Sequence, residues 1–318
     1  MQPSSVISEE LVLHKKILKL MGNRFEISVL SDDILYADAC IESAVEEIQR
    51  IETLLTTFNE SSETNLINQN AGISPVQVSK EIFNLISRSQ RISELTQGAC
   101  DITYGSIDKR FWNFDVNMTE LPDAELAKQS VSLVNYRNII LDEKKETVFL
   151  KKKGMRIGFG GIGKGYAAER AKIILKEKGV KSGIVNAAGD LTAWGFQANG
   201  KPWTIGIADP ESKNQPFSTL KITDAAVATS GNYEKYAIIN GKKYSHTIDP
   251  KTGFPVGGIK SVTIICPNAE FADAMATPIM VMGVQVGLSM INQMQQIACI
   301  IIDDQNRVYY SKNINLSK

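Results

Sequence analysis

The sequence predicts an α+β fold, and three observations carry that prediction. Strands and helices interleave without the regular strand–helix alternation of a doubly wound sheet. Long amphipathic helices dominate the first part of the chain, whereas the chain beyond residue 190 turns strand-rich. A third sign is Asn240-Gly241 set between two β-like runs, a strong hairpin signal and so a mark of antiparallel pairing.

The elements follow in order. Residues 18–29 read as a strand entering through Met21-Gly22, and Ser31-Asp32-Asp33 offers caps for a helix over 34–55. Ile34, Ala37, Ile41, Ala44, Val45, Ile48, Ile51 and Leu55 keep a helical period, so one face packs while Glu42, Glu46, Glu47 and Arg50 face water. Residues 56–72 are Asn- and Ser-rich with Phe58 their one large apolar group, which reads as a surface loop. A second amphipathic helix spans 79–97, stopped by Gly98. Next come 99–103 and a loop holding Trp112 and Phe114, a third helix near 123–134, and a hairpin of 138–141 with 147–150. A glycine-dense loop opens a helix over 166–178, and 182–186 reads as a buried strand. Short strands follow at 203–208, 220–223 and 226–229, a hairpin of 236–239 with 244–248, and a strand at 260–266. Helices over 269–283 and 286–294 precede a last pair of strands, 297–302 and 307–310.

Composition bounds the function. With 318 residues, 43% hydrophobic and 22% charged, the chain has apolar material for one large domain or two of ordinary size. Lys plus Arg and Asp plus Glu both number 35, so no bulk charge calls for nucleic acid or an anionic membrane, and any anion site is local. Cys40, Cys100, Cys266 and Cys299 are scattered without C-x-x-C spacing, which argues against a zinc site and against a disulfide framework. No run reads as membrane-spanning, and residues 1–10 lack the basic and apolar regions of a signal peptide, so the chain as written reads as cytoplasmic.

Three constellations can carry chemistry. Gly158, Gly160 and Gly163 fit G-x-G-x-x-G, and 158–164 fits the first seven positions of a P-loop, with Lys164 as a point charge at a helix start. Gly165 stands where a P-loop needs a Ser or Thr for its metal, so the triphosphate signature fails there; alone, the loop is equally a strand-to-helix turn. His246 lies in a polar hairpin segment ending in Asp249-Pro250-Lys251-Thr252-Gly253, and an imidazole suits general-base work at neutral pH. A histidine bonded structurally within a turn is the competing reading. Asp273 and Thr277 are four apart and share a helix face; a carboxylate and a hydroxyl together suit a hard cation such as Mg2+, or else form a solvated face.

Taken together, 21–25, the segment around Phe58, 101–103, 160–166, 186–190, 230–236, 246–255 and 272–283 resemble the ApbE-like flavin transferases, which move FMN from FAD onto a Ser or Thr of a target protein. The resemblance covers nearly the whole chain. It implies one domain over 1–318, a T-fold-like mixed architecture of two packed halves, 1–150 and 151–318, with FAD in the cleft between them. It further implies that Gly161 (through its carbonyl), Asp273 and Thr277 bind Mg2+; that Met21, Phe58, Ala99, Cys100, Asp101, Lys164 and Ile248 contact FAD; and that His246 is the base for the acceptor hydroxyl or a close helper of it. The partner would be a flavin-acceptor protein, with a homodimer left open and export or lipid anchoring the family habit. Departures from the family pattern are Gly158 for an acidic residue, Ala188 for a glycine, Glu169 for an aspartate and Phe58 for a tyrosine. An FAD pyrophosphatase and a non-catalytic flavin-binding protein stand as the alternatives.

Overall fold

The computed structural model describes residues 10–107, 120–208, 216–232, 236–240 and 242–314. Trp112, Phe114, residues 233–235 of the polar segment and Gly241 of the predicted hairpin turn lie outside the described residues.

The chain opens on an antiparallel hairpin, β1 (Val12–Leu20) and β2 (Asn23–Ser31), where the sequence predicts one strand over 18–29. Met21 and Gly22 both have positive φ, 49° and 72°, as a two-residue turn between twisted strands requires, so the chain reverses there. Helix α1 spans the predicted Ile34–Leu55, capped by the Asp33 carboxylate on the Leu35 and Tyr36 amides, although Ile34 in its first turn is exposed and Glu47 is nearly buried, paired with Arg50 and Arg170. It buries Ala37, Ile41, Ala44, Ile48, Ile51 and Leu55. Each fully buried isoleucine contributes roughly 1.5–3 kcal/mol relative to exposure.

Residues 56–72 are not all loop: α2 (Glu63–Gln69) stands there, capped by Ser62 on the Asn65 amide. Its asparagines are core residues. Asn68 donates to the Ile157 carbonyl at 3.1 Å and accepts from the Ile157 amide at 2.7 Å. A polar side chain can be buried when it satisfies distant backbone, which composition does not report.

A short β3 (Val76–Gln77), α3 (Lys80–Leu95), a 3-10 turn (Ile102–Ser106) and α4 (Ala124–Ser130), shorter than predicted, lead to β4 (Ile139–Asp142) and β5 (Thr147–Leu150). Helix α5 (Gly163–Glu177) is followed by β6 (Gly183–Ala187) and by β7 (Asp190–Trp194), a strand absent from the sequence reading. Ala188 and Gly189, with φ of 55° and 102°, turn the chain between them. Then come β8 (Trp203–Ala208), β9 (Pro216–Ile222), β10 (Ala225–Gly231), the hairpin β11 (Tyr236–Ile239) and β12 (Lys242–Ser245), and β13 (Ile259–Cys266). Helix α6 (Ala269–Ile291), β14 (Ala298–Asp303) and β15 (Val308–Tyr310) complete the described chain.

The main sheet is antiparallel, with eight strands in the order β1-β2-β6-β7-β10-β13-β14-β15. Helices α1, α5 and α6 cover one face. The hairpin of β8 and β9 covers part of the other, packing Trp203, Ile205 and Leu220 with Leu191, Ala193 and Val227. Helix α6 merges the predicted 269–283 and part of 286–294 across a break at Gly283, whose φ of 81° is not helical. At 23 residues, with an 18-residue window of mean hydropathy 1.6, it has the length and composition of a membrane span, which the two shorter predicted helices lack. Here it lies against α5, β10 and β13.

Candidate active site

The glycine loop is clamped before α5 begins. Asn68 holds Ile157, and the Gly158 amide donates to the Ile102 carbonyl at 2.9 Å, tying the loop to α2 and to the 3-10 turn. At its far end Ile162 caps α5 with no side-chain hydrogen bond. The cap arrives from another helix: the Gly165 amide donates to Asp273 Oδ2 at 2.9 Å. A carboxylate at an N-terminus is favoured by the helix dipole, and here it also fixes the plane of the Asp273 side chain.

That contact explains Gly165. A Cβ built at Gly165 would stand 2.2 Å from the Ala269 carbonyl oxygen and 2.6 Å from the Asp273 Cβ. The position where a P-loop carries its hydroxyl is therefore filled by the backbone of α6. Helix α6 is itself held from α5, where Glu169 accepts the Ala269 amide at 2.9 Å and pairs with Lys172.

One turn along α6 from Asp273, Thr277 Oγ1 lies 2.9 Å from Ser230 Oγ on β10. Pro278 follows directly; lacking an N–H, it leaves the carbonyl one turn back without its helical donor. Lys164 is ion-paired with Asp190 at the start of β7. Burial pushes the Asp190 carboxyl up, and Lys164 pulls it back toward the charged form. Four elements, the α5 N-terminus, β7, β10 and α6, thus bring Lys164, Asp190, Ser230, Asp273 and Thr277 into one linked set of contacts.

The other predicted residues fall into two groups. Met21 reaches the loop: its Cε is 3.7 Å from a Cβ built at Gly163. Cys100 lies within electrostatic reach of Asp273, and burial pushes its thiol to about 12, so it is a neutral thiol. Asp101, predicted to contact the ligand, has both carboxylate oxygens engaged: Oδ1 accepts from the Thr103 amide and hydroxyl at 2.8 and 2.6 Å, and Oδ2 from the Tyr136 amide at 2.7 Å. Burial nonetheless raises its pKa. Phe58 stands 95% exposed beyond the end of α1, whose Leu55 touches the loop at Gly163. His246 directly follows β12 and is half-buried, and Ile248 forms a single bridge with Pro255. The turn after them is docked on α4, since a Cβ at Gly253, φ 75°, would stand 1.9 Å from the Ala127 carbonyl oxygen. The hairpin carrying His246 is inserted between β10 and β13, so it leaves the sheet just past Ser230.

Sequence reasoning assigned no role to Asp190, Ser230 or Tyr104. Asp190 had a signal, a carboxylate opening an apolar run, Leu191 to Trp194, because buried carboxylates are paired. Tyr104 had none, since its bond to the Gly160 amide spans 56 residues.

No cluster of three His, Cys, Asp or Glu side chains that could hold a metal occurs among the described residues. One carboxylate with hydroxyls and carbonyls is instead the donor chemistry of a hard cation that keeps waters and substrate oxygens in its shell.

Fold and site together define an α+β protein in which a glycine loop and a lysine at a helix start face one carboxylate and two hydroxyls. The sequence profile of the ApbE family matches residues 21–301, and the chain belongs to that family. It is similar to a protein of Klebsiella pneumoniae (strain 342) named FAD:protein FMN transferase, 30% identical over 294 residues that span 92% of this chain and 90% of the relative. A protein of the same name from Treponema pallidum (strain Nichols) is 28% identical, covering 87% of this chain and 80% of its own. Among solved structures, the ApbE protein of Thermotoga maritima superposes with a TM-score of 0.86 at 30% identity, covering 95% of this chain and 97% of that one. The flavin transferase ApbE from Vibrio cholerae, 23% identical, has the same fold with a TM-score of 0.83 over 95% of this chain and 98% of its own.

Proposed function

We propose that this ApbE-family enzyme transfers FMN from FAD to a Ser or Thr hydroxyl of an acceptor protein, with Mg2+, releasing AMP. The observation that carries the proposal is the junction of α5 and α6. There a glycine loop and Lys164 meet a carboxylate and two hydroxyls in a packed setting. Lys164 at the start of α5 suits the pyrophosphate; Asp273, Thr277 and the Gly161 carbonyl suit the metal. When bound, Mg2+ would neutralise phosphate charge and make phosphorus more electrophilic.

In this reading the acceptor oxygen forms a bond to the flavin-side phosphorus as the bond to AMP breaks. His246 takes the hydroxyl proton, and Lys164, held by Asp190, balances the charge of the leaving phosphate. Met21 and the exposed Phe58 offer apolar surface for the flavin dinucleotide.

The test is incubation of the purified chain with FAD, Mg2+ and a flavin-acceptor domain, read by in-gel flavin fluorescence and by AMP release. Labelled acceptor with matching AMP is the expected result. AMP without label means hydrolysis of FAD, and neither product means binding only. Asp273→Ala should abolish activity together with its metal dependence; an unchanged metal requirement would sink that ligand assignment.

A further inference from the structure

We infer that Tyr104 is an additional binding residue of this site. Its phenol oxygen holds the glycine loop by accepting the Gly160 amide and donates its own proton to the bound flavin dinucleotide. The inference rests on the functional reading above.

The geometry is specific. Tyr104 Oη accepts the Gly160 N–H at 2.9 Å. A Cβ built at Gly160 would stand 2.3 Å from that same oxygen, and one built at Gly158 would stand 3.5 Å from it. Both glycines therefore turn bare backbone toward the phenol, and Gly160 can carry no side chain while the hydroxyl is there. Two residues earlier the same strands of chain are joined again, by the Gly158 amide on the Ile102 carbonyl at 2.9 Å. The 3-10 turn bearing Tyr104 is itself locked by Asp101 on Thr103 and Tyr136. A residue so fastened on both sides holds its hydroxyl in a fixed place.

A phenol oxygen that accepts one bond still has one proton to give. Among the described residues the Tyr104 hydroxyl has no acceptor for it. The residue is 42% exposed, so a ligand can approach it. Asp273 and Cys100 both lie within electrostatic reach of it, as the carboxylate that caps α5 and the thiol before Asp101. An acceptor reaching this hydroxyl meets a preplaced donor, and a nucleotide supplies such acceptors in its phosphate oxygens and ring carbonyls. Because Gly158 brings no side chain, Tyr104 is the polar side chain that faces this part of the loop.

Binding of FAD to the full chain with Mg2+, followed by flavin fluorescence and by titration calorimetry, tests this. Tyr104→Phe keeps the ring and removes the oxygen; its dissociation constant for FAD should rise about tenfold, the weight of one good hydrogen bond, with the thermal midpoint falling by no more than the loss of the Gly160 hydrogen bond accounts for. Gly160→Ala should weaken FAD as strongly, because the new methyl displaces the phenol oxygen. In the Tyr104→Phe background it should add little, the nearest ring carbon standing 3.4 Å from the built Cβ. Wild-type affinity in Tyr104→Phe overturns the inference, as does a Gly160→Ala penalty of equal size in both backgrounds. Should Tyr104→Phe melt early, that comparison of backgrounds still decides. Failure of the wild-type chain to bind FAD would count against the functional reading, whereas binding that is indifferent to Tyr104 counts against this inference alone.

Discussion

The two ends of the candidate site are built differently. The α5–α6 junction is core: Asp273 is 5% exposed, Gly165 is closed off by α6 backbone, and α1 packs α5 from behind. The segment carrying His246 is an appendage to the main sheet, a two-stranded sheet of its own with Tyr236 and Ile238 41% and 62% exposed on one face and Ala237 and Ile239 buried on the other. Groups that must hold a charged substrate gain from a rigid, low-dielectric frame. A base that must meet the hydroxyl of another protein has to stand where that protein can reach it. The contrast is between a packed helix junction and a hairpin segment outside the main sheet whose closing turn docks on α4, and the proposed binding and acceptor roles fall on different sides of it.

Breaking the outer end should have the largest effect on activity and the smallest on the fold. His246→Ala is expected to lower transfer by about 10²- to 10⁴-fold, the range of general-base catalysis, with FAD affinity and thermal midpoint held. Unaltered labelling of the acceptor would remove the base role, and a collapsed midpoint would show that the hairpin is no appendage.

Breaking the inner end should do the reverse. Gly165→Ala forces a methyl to within 2.2 Å of the Ala269 carbonyl oxygen. Overpacking of this kind costs about 1–3 kcal/mol, readable by denaturant unfolding. Gly161→Ala is the control, since nothing lies within 4 Å of a Cβ built there. Equal losses from the two substitutions would mean that the loop, and not the helix contact, is what glycine serves.

The smallest effect sharpens the comparison at the back of α5. Arg50 bonds Glu47 and Glu81, while Arg170 and Tyr166 of α5 reach the same two carboxylates. The Arg50 guanidinium is the leading cause that holds both carboxyls below their usual range. Their contribution is present above the unfolded carboxylate pKa and is lost as pH falls through the lowered folded values. Melting from pH 6 to pH 3 should therefore show a steeper acid loss in the wild type than in Arg50→Gln, by no more than about 1 kcal/mol because Arg50 is largely exposed. Asp101 and Asp190, raised by burial, contribute with the opposite sign in both proteins, so the difference isolates the Arg50 network. Parallel acid profiles would show that this network does not secure α5.

Much of this was legible residue by residue. The stripe of α1 and its Asp33 cap were written in local spacing, as were the strands on either side of the 240–241 turn and the Asp273–Thr277 pair. Three features were not. The chain reversal at Met21-Gly22 is not visible locally, because neither the strands nor their alternation stop there. Helix α2 was hidden by asparagines whose partners lie far off in sequence, at Ile157. Strand β7 was hidden behind Ala188, a residue that does not advertise the positive φ it adopts. As for the site, the acidic side chain that the family pattern led one to expect at 158 is absent, and the space beside that glycine is taken by Tyr104.

The sequence alone determined which groups were available: the glycine loop with its lysine, the carboxylate and hydroxyl four apart, and a histidine in a hairpin segment. These depend on identity and short-range period, which the chain carries locally. Only the tertiary structure decided what each is joined to, namely Asp273 to the α5 N-terminus, Lys164 to Asp190, Thr277 to Ser230 and Gly160 to Tyr104. Those contacts span 26 to 108 residues, and they form because one antiparallel sheet and three helices packed on it bring distant segments to a common end. The same packing turned Gly165 from a missing metal ligand into the one residue small enough for α6 to pass.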